Sequence, residues 1–264
     1  MTSLLLVASL VISGRSLSEV DGFAWWGYLY LACIVIPSGF SIIALQFSLA
    51  CRALYVKVKL IESLRVACAA TIANLLPIPG ALLVRISALK NKGITIGRAT
   101  AVTAAVSLVV LSAALITSAL FLTGKSNLLA AAALSLGVII GAISFYTLSK
   151  NVSESLQNFW RLCLLGTYIS IVSGMNLFFI MMALDERISL GSSIVIAASG
   201  VLASSLGIFP GGLGARELIA GGLSLLYGLD IGLVVTAVLV TRIAELAGLL
   251  FLQIGFRVSK GWSS

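Results

Sequence analysis

Five stretches of this 264-residue chain, at 24–50, 99–123, 127–148, 160–184 and 229–255, are continuously apolar, and nearly every charge sits in short clusters between them. A helix needs about 20 apolar residues to cross a hydrocarbon core of about 30 Å. Soluble domains carry about 25% charged residues; here the figure is 10%, with a mean hydropathy of +1.15. Water would leave such a chain without a polar surface. The expectation is an all-α polytopic membrane protein with about six full spans, forming one transmembrane domain over 1–264. Residues 1–14 are apolar but short and have no basic segment before them, so they read as a short or half-span helix rather than a secretory leader.

Two further apolar stretches, 66–84 and 189–214, are interrupted by helix breakers. Pro79-Gly80-Ala81-Leu82-Leu83-Val84-Arg85 and Pro210-Gly211-Gly212-Leu213-Gly214-Ala215-Arg216 share the pattern Pro-Gly-x-Leu-x-x-Arg, 131 positions apart (210 − 79). Gly97 and Gly228 match at the same offset, as do 99–123 and roughly 230–254. This predicts inverted-topology repeats, repeat 1 over about 24–123 and repeat 2 over about 160–255, with helix 127–148 between them. Charge sets the orientation. Arg52, Lys57, Lys59 and Arg65 precede the first break, and Arg85, Lys90, Lys92 and Arg98 follow it. Both clusters fall on the positive, cytoplasmic side only if 66–84 is a re-entrant hairpin, turned by Pro77, Pro79 and Gly80. The second hairpin, broken at Pro210, then enters from the opposite face. The C-terminus is cytoplasmic, with twelve basic residues inside, three outside (Arg15, Lys125, Arg187) and two within the membrane (Arg216, Arg242).

Histidine is absent, and the four cysteines lie in or beside apolar segments without a paired motif. No metal site, catalytic dyad or cofactor is expected, and no enzyme activity. The glycine loop lacks a Lys-Ser/Thr ending, so ATP is not expected to drive the protein. The net charge of +8 is spread through inter-helix loops rather than a basic tail, which argues against nucleic acid.

Arginine within a bilayer costs roughly 2.5–3.5 kcal/mol and is seldom left without partners or water. Arg216 is read as ligand-binding; for Arg85 a snorkelling role and a ligand role both stand. A planar guanidinium suits phosphate or carboxylate. Gly211, Gly212 and Gly214 let the backbone approach a ligand, and the helix restarting near Arg216 would aim free N–H groups at an anion. Arg242 and Glu245 share a helix face, and Glu217 adjoins Arg216; these carboxylates either neutralise the arginines or line a polar cavity with them. Asn74 and Asn176 line that cavity or bond between helices. Asp230 reads as a helix cap, and Gly137 with Gly141 as a packing pair.

Phe209-Pro210-Gly211-Gly212-Leu213-Gly214-Ala215-Arg216-Glu217, followed by the helix bearing Arg242, resembles the transmembrane flippase domain of the lysylphosphatidylglycerol synthase/flippase family. Asn74-Leu75-Leu76-Pro77 through Gly80 and Arg85 resembles its first-half signature, and the likeness runs over roughly 24–256. The resemblance implies re-entrant helices around a headgroup cavity and movement of membrane lipids between leaflets, without the family's aminoacyl-transfer domain. Where relatives often have an acidic residue after the first-half glycine, this chain has Ala81; at the 131 offset Leu111 stands opposite Arg242. The expected function is a flippase-like lipid translocase for an anionic phospholipid or phosphate-linked glycolipid in the cytoplasmic membrane. The alternatives are a secondary transporter of a small anionic solute and a non-transporting scaffold for cell-envelope biosynthesis. A homo-oligomer or a cell-envelope partner fits either.

Overall fold

The computed structural model describes residues 24–74, 80–206 and 214–261. The helices are α1 (Trp25–Ala53), α2 (Leu60–Ala73), α3 (Gly80–Lys90), α4 (Ile96–Leu122), α5 (Asn127–Asn151), α6 (Ser155–Ala183), α7 (Leu190–Leu206), α8 (Ala215–Leu225) and α9 (Ile231–Gly261). No strand occurs among the described residues. Helices α1, α4, α5, α6 and α9 are long and apolar enough to cross a membrane, which makes this a multi-pass helical protein. They match the five apolar stretches to within a few residues. The proposed half-span at 1–14 lies outside the described residues, as do Pro77, Pro79, Pro210, Gly211 and Gly212.

Helix α4 is the hub. It is mostly buried and packs on α5, α6, α7, α3 and α1. By contrast, α5 is mostly exposed, showing Leu128, Leu134, Val138, Ile139 and Ile143 outward, as a lipid-facing helix should. It docks on α4 through Gly137 and Gly141: a Cβ on Gly137 would meet Ile116 Cγ1 at 2.8 Å, and Ser112 Oγ donates to the Gly137 carbonyl at 2.7 Å. The packing role of that glycine pair holds.

The short helices form two packed pairs. Helices α2 and α3, of 14 and 11 residues, reach only about 21 and 16 Å at 1.5 Å per residue. They touch at the break, where a Cβ on Gly80 would collide with the Ala73 carbonyl. At their other ends Lys92 Nζ lies 2.7 Å from Glu62 Oε1, so the start of α2 and the end of α3 share one end of the bundle. The start of α4 and the end of α5 lie at that end too, tied by Arg98 Nε donating to the Asn151 carbonyl at 2.9 Å. An apolar core gathers there from Ala50, Cys51, Leu54, Leu89, Ala99, Val102, Leu148 and Leu162. Helices α7 and α8 pack as the second pair. Ser189 and Gly191 before and within α7, Tyr227 and Leu229 after α8, and Lys125 of the α4–α5 loop line one cleft at the opposite end of α4. A second core, with Ile180, Met181, Leu184, Ile196, Val234 and Ala237, gathers at that end.

Helix caps reveal a register that residue matching misses. At the end of α1, Val56 N–H donates to Cys51 O at 2.9 Å and Tyr55 has φ 58°. At the end of α6, Glu186 N–H donates to Met181 O at 3.0 Å and Asp185 has φ 59°, 130 positions on (185 − 55). Both are Schellman-type stops. The ends of α3 and α8 repeat the device: Ile94 N–H to Leu89 O and Leu229 N–H to Ser224 O, with Gly93 and Gly228 at positive φ, 135 positions apart (228 − 93). Helices α4 and α9 then start 135 apart, Asp230 Oδ1 capping Leu233 N–H at 2.7 Å. The offset grows by five because the segment holding α7 and its break is longer. At this spacing Gly228 falls opposite Gly93 and Arg242 opposite Ser107. Arg216 is the second residue of α8 whereas Arg85 is the sixth of α3, so the two arginines of the shared motif sit about one helical turn out of register.

Gly80→Ala should cost about 1–3 kcal/mol by forcing α3 off α2. A lower thermal midpoint in detergent is the expected result; an unchanged midpoint would show that the two helices have room to separate.

Candidate functional site

The second break is organised by Glu217. Helix α8 begins at Ala215, preceded by Gly214 at φ 79°, a left-handed position that glycine adopts without strain. Glu217 is the third helical residue, and its Oε2 reaches back to accept the Gly214 N–H at 2.8 Å, the reciprocal half of a capping box. Its Oε1 accepts from Arg242 Nη1 of α9 at 3.2 Å. Glu217 is 1% exposed and Arg242 7%. Both oxygens are engaged, and the negative charge sits on the positive end of the α8 dipole. Of the N–H groups expected to face an anion here, that of Gly214 is held by Glu217, while Gly211 and Gly212 lie outside the described residues.

Arg216 and Glu245 are arranged otherwise. Arg216 Nη1 stands 3.9 Å from Glu245 Oε2, beyond hydrogen-bond length, and both side chains keep some exposure. Arg216 Nε is buried with no hydrogen-bond partner among the described residues. The guanidinium lies against α7: a Cβ on Gly200 would come 3.1 Å from Nε and 3.3 Å from Cζ. Glu245 lies against α1, its Cγ 3.6 Å from where a Gly39 Cβ would stand. Arg216-Glu217 on α8 thus faces Arg242 and Glu245 on α9, charge against opposite charge. The quartet is formally neutral, with one tight buried pair and one loose pair.

Arg85 stands apart from that quartet. Sequence counting placed it with the end cluster, but the structure draws it into the bundle. Its Nη2 donates to Gln46 Oε1 of α1 at 3.4 Å, and its Nε is buried without a partner among the described residues. No carboxylate forms an ion pair with it among those residues. Asn74 ends α2 beside the first break, its N–H bonded to Ala70 O. Asn176 resolves as an interhelical bond: Tyr30 Oη donates to Asn176 Oδ1 at 3.0 Å and Asn176 Nδ2 donates to Ser38 Oγ at 3.3 Å, joining α6 to α1.

Gln46 and Gly39 are contributors that the sequence reading missed. Gln46 carried a signal, a polar amide inside an apolar stretch. Gly39 carried none, since only the fold sets it against Glu245. No protein-family model matches this chain, and no curated protein does either.

Glu217→Gln should destabilise the protein by about 3–5 kcal/mol, because it removes the carboxylate charge paired with the buried Arg242. Arg216→Gln, losing only a loose and partly exposed pair, should cost about 0–1 kcal/mol. Thermal unfolding of the two variants in detergent reads the difference; equal losses would contradict the division into a tight and a loose pair.

Proposed function

We propose that this protein is a non-ATP-driven membrane translocase for an anionic, phosphate-bearing lipid headgroup, as its resemblance to the lysylphosphatidylglycerol synthase/flippase family implies. The observation that carries the reading is a pair of part-buried arginines, Arg85 within α3 and Arg216 at the start of α8, whose Nε atoms are buried without a hydrogen-bond partner among the described residues. Buried donors of this kind are costly unless something accepts from them. A phosphate oxyanion offers acceptors to the guanidinium edge.

In this reading α2–α3 and α7–α8 are re-entrant hairpins of an inverted repeat. Their short helices, the collision-tight contact at Gly80, and the placement of the two hairpin bases at opposite ends of α4 support it. So do the recurring caps at offsets of 130 and 135. The headgroup enters beside the breaks while the acyl chains stay in lipid. Glu217 and Arg242 hold the α8 start in place, and the phosphate takes the position on Arg216 that Glu245 holds only loosely. Rocking of the repeats exposes the site to each face in turn.

Two experiments test this. In a cysteine-free background, Lys57→Cys and Asn91→Cys should both label from the cytoplasmic side, and Lys125→Cys and Arg187→Cys from the other. Labelling of positions 57 and 91 from opposite sides would sink the re-entrant reading. In vesicles of phosphatidylcholine with a fluorescent phosphatidylglycerol, the protein should expose inner-leaflet probe to a membrane-impermeant quencher. Arg216→Gln should slow this by about ten-fold, the worth of one charge-assisted hydrogen bond. Full activity in a folded Arg216→Gln protein would remove Arg216 from the site, and phosphate uptake without lipid movement would favour a small-anion transporter.

A further inference from the structure

Gly39 and Gln46 are seven residues apart within the α-helical part of α1, so at 100° per residue they share a face, about 10 Å apart along the axis. One touches the Arg216–Glu245 pair through Glu245; the other accepts from Arg85. Gly39 is also the midpoint of α1, fourteen residues from Trp25 and fourteen from Ala53. The Arg216 site therefore lies at mid-depth, and the Arg85 site lies one step towards the end where Lys92 meets Glu62. By spacing, Ile43 falls between them on the same strip.

We infer that this strip of α1, Gly39 to Gln46, is the floor of a path along which a phosphate-type oxyanion passes between two arginine stations, Arg216 at mid-depth and Arg85 nearer one face. The inference rests on the transport reading above and adds the route. The stations differ in counter-charge. At Arg216 the Glu245 carboxylate, 3.9 Å away, competes with an arriving anion and hastens its release. At Arg85 the partner is a neutral amide, so the anion is held without competition. Gly39 keeps the floor bare where Glu245 must swing aside, and Gln46 orients the Arg85 guanidinium without neutralising it. Gly39 and Gln46 are positioning residues for the two stations.

The test uses the full chain in two assays: leaflet exchange of fluorescent phosphatidylglycerol in phosphatidylcholine vesicles, and binding of the same lipid to the detergent-purified protein. Gly39→Leu should slow exchange by about ten-fold while binding stays within about two-fold, because it obstructs passage and leaves Arg85 intact. Gln46→Glu, nearly isosteric and hence compatible with the fold, should weaken binding by about ten-fold by supplying Arg85 with a carboxylate. The thermal midpoints of Gly39→Leu and Gln46→Glu in detergent, close to that of the unaltered protein, control for folding. Wild-type exchange in Gly39→Leu together with wild-type binding in Gln46→Glu would overturn the path. Should the unaltered protein exchange no lipid, the transport reading fails; loss of lipid binding in Gln46→Glu would still establish the Arg85 station. Competition by inorganic phosphate marks a site that takes the free oxyanion; where phosphate does not compete, ten-fold weaker binding in Gln46→Glu carries the oxyanion assignment and wild-type binding there overturns it.

Discussion

A single carboxylate holds the second half of this protein together. Glu217 caps the start of α8 with one oxygen and neutralises the buried Arg242 of α9 with the other. Inside a membrane a restarted helix exposes N–H groups that hydrocarbon cannot satisfy. A side chain that returns to the helix start meets that demand without recruiting another element, and the same charge lets α9 carry an arginine through the bilayer. With α8 and α9 so locked, Arg216 lies on the bare surface of Gly200 and is paired only loosely with Glu245 among the described residues. A tight pair at Glu217 thus stands next to a loose one at Arg216, its neighbour in the chain.

The two packed pairs of short helices differ in charge. Around the α7–α8 break, two arginines meet two glutamates and the sum is zero. Within α3, Arg85 bonds the Gln46 amide and pairs with no carboxylate among the described residues, and the ion pair of Lys92 with Glu62 lies at the bundle rim. Such a rim pair is partly exposed and contributes about 0–1 kcal/mol. It marks where the hairpin ends more than it holds the hairpin shut.

Much of this was legible in the amino-acid order. Hydropathy located α1, α4, α5, α6 and α9, because a bilayer imposes length and apolarity on each span independently of its neighbours. The cap of α9 was legible from Asp230. Register was not. Identical letters 131 apart suggested equivalent arginines, but the five extra residues around the second break move Arg216 to the start of its helix and leave Arg85 a turn deeper in its own. Partner choice was illegible for a similar reason. Glu217 and Glu245 look alike in sequence, and only the crossing of α8 over α9 makes one a clamp and the other a loose neighbour. Gly39 has meaning only once α1 is rotated to face α9.

That rotation has a visible origin. Helix α1 is not α-helical throughout: Leu31–Val35 form a π turn, flanked by the Tyr30–Asn176–Ser38 bonds to α6, with Ser38 Oγ donating to the Val35 carbonyl. A π turn absorbs one residue more than an α turn, and each residue is worth about 100° of azimuth. The wide turn is thus a phase shifter set upstream of the strip. Unwinding it into regular α-helix would turn everything beyond it by about a quarter of a revolution, carrying Gly39 off Glu245 and Gln46 off Arg85 in one movement. An amide on a neighbouring helix, Asn176, thus fastens both sides of the turn that sets the azimuth of Gly39 and Gln46.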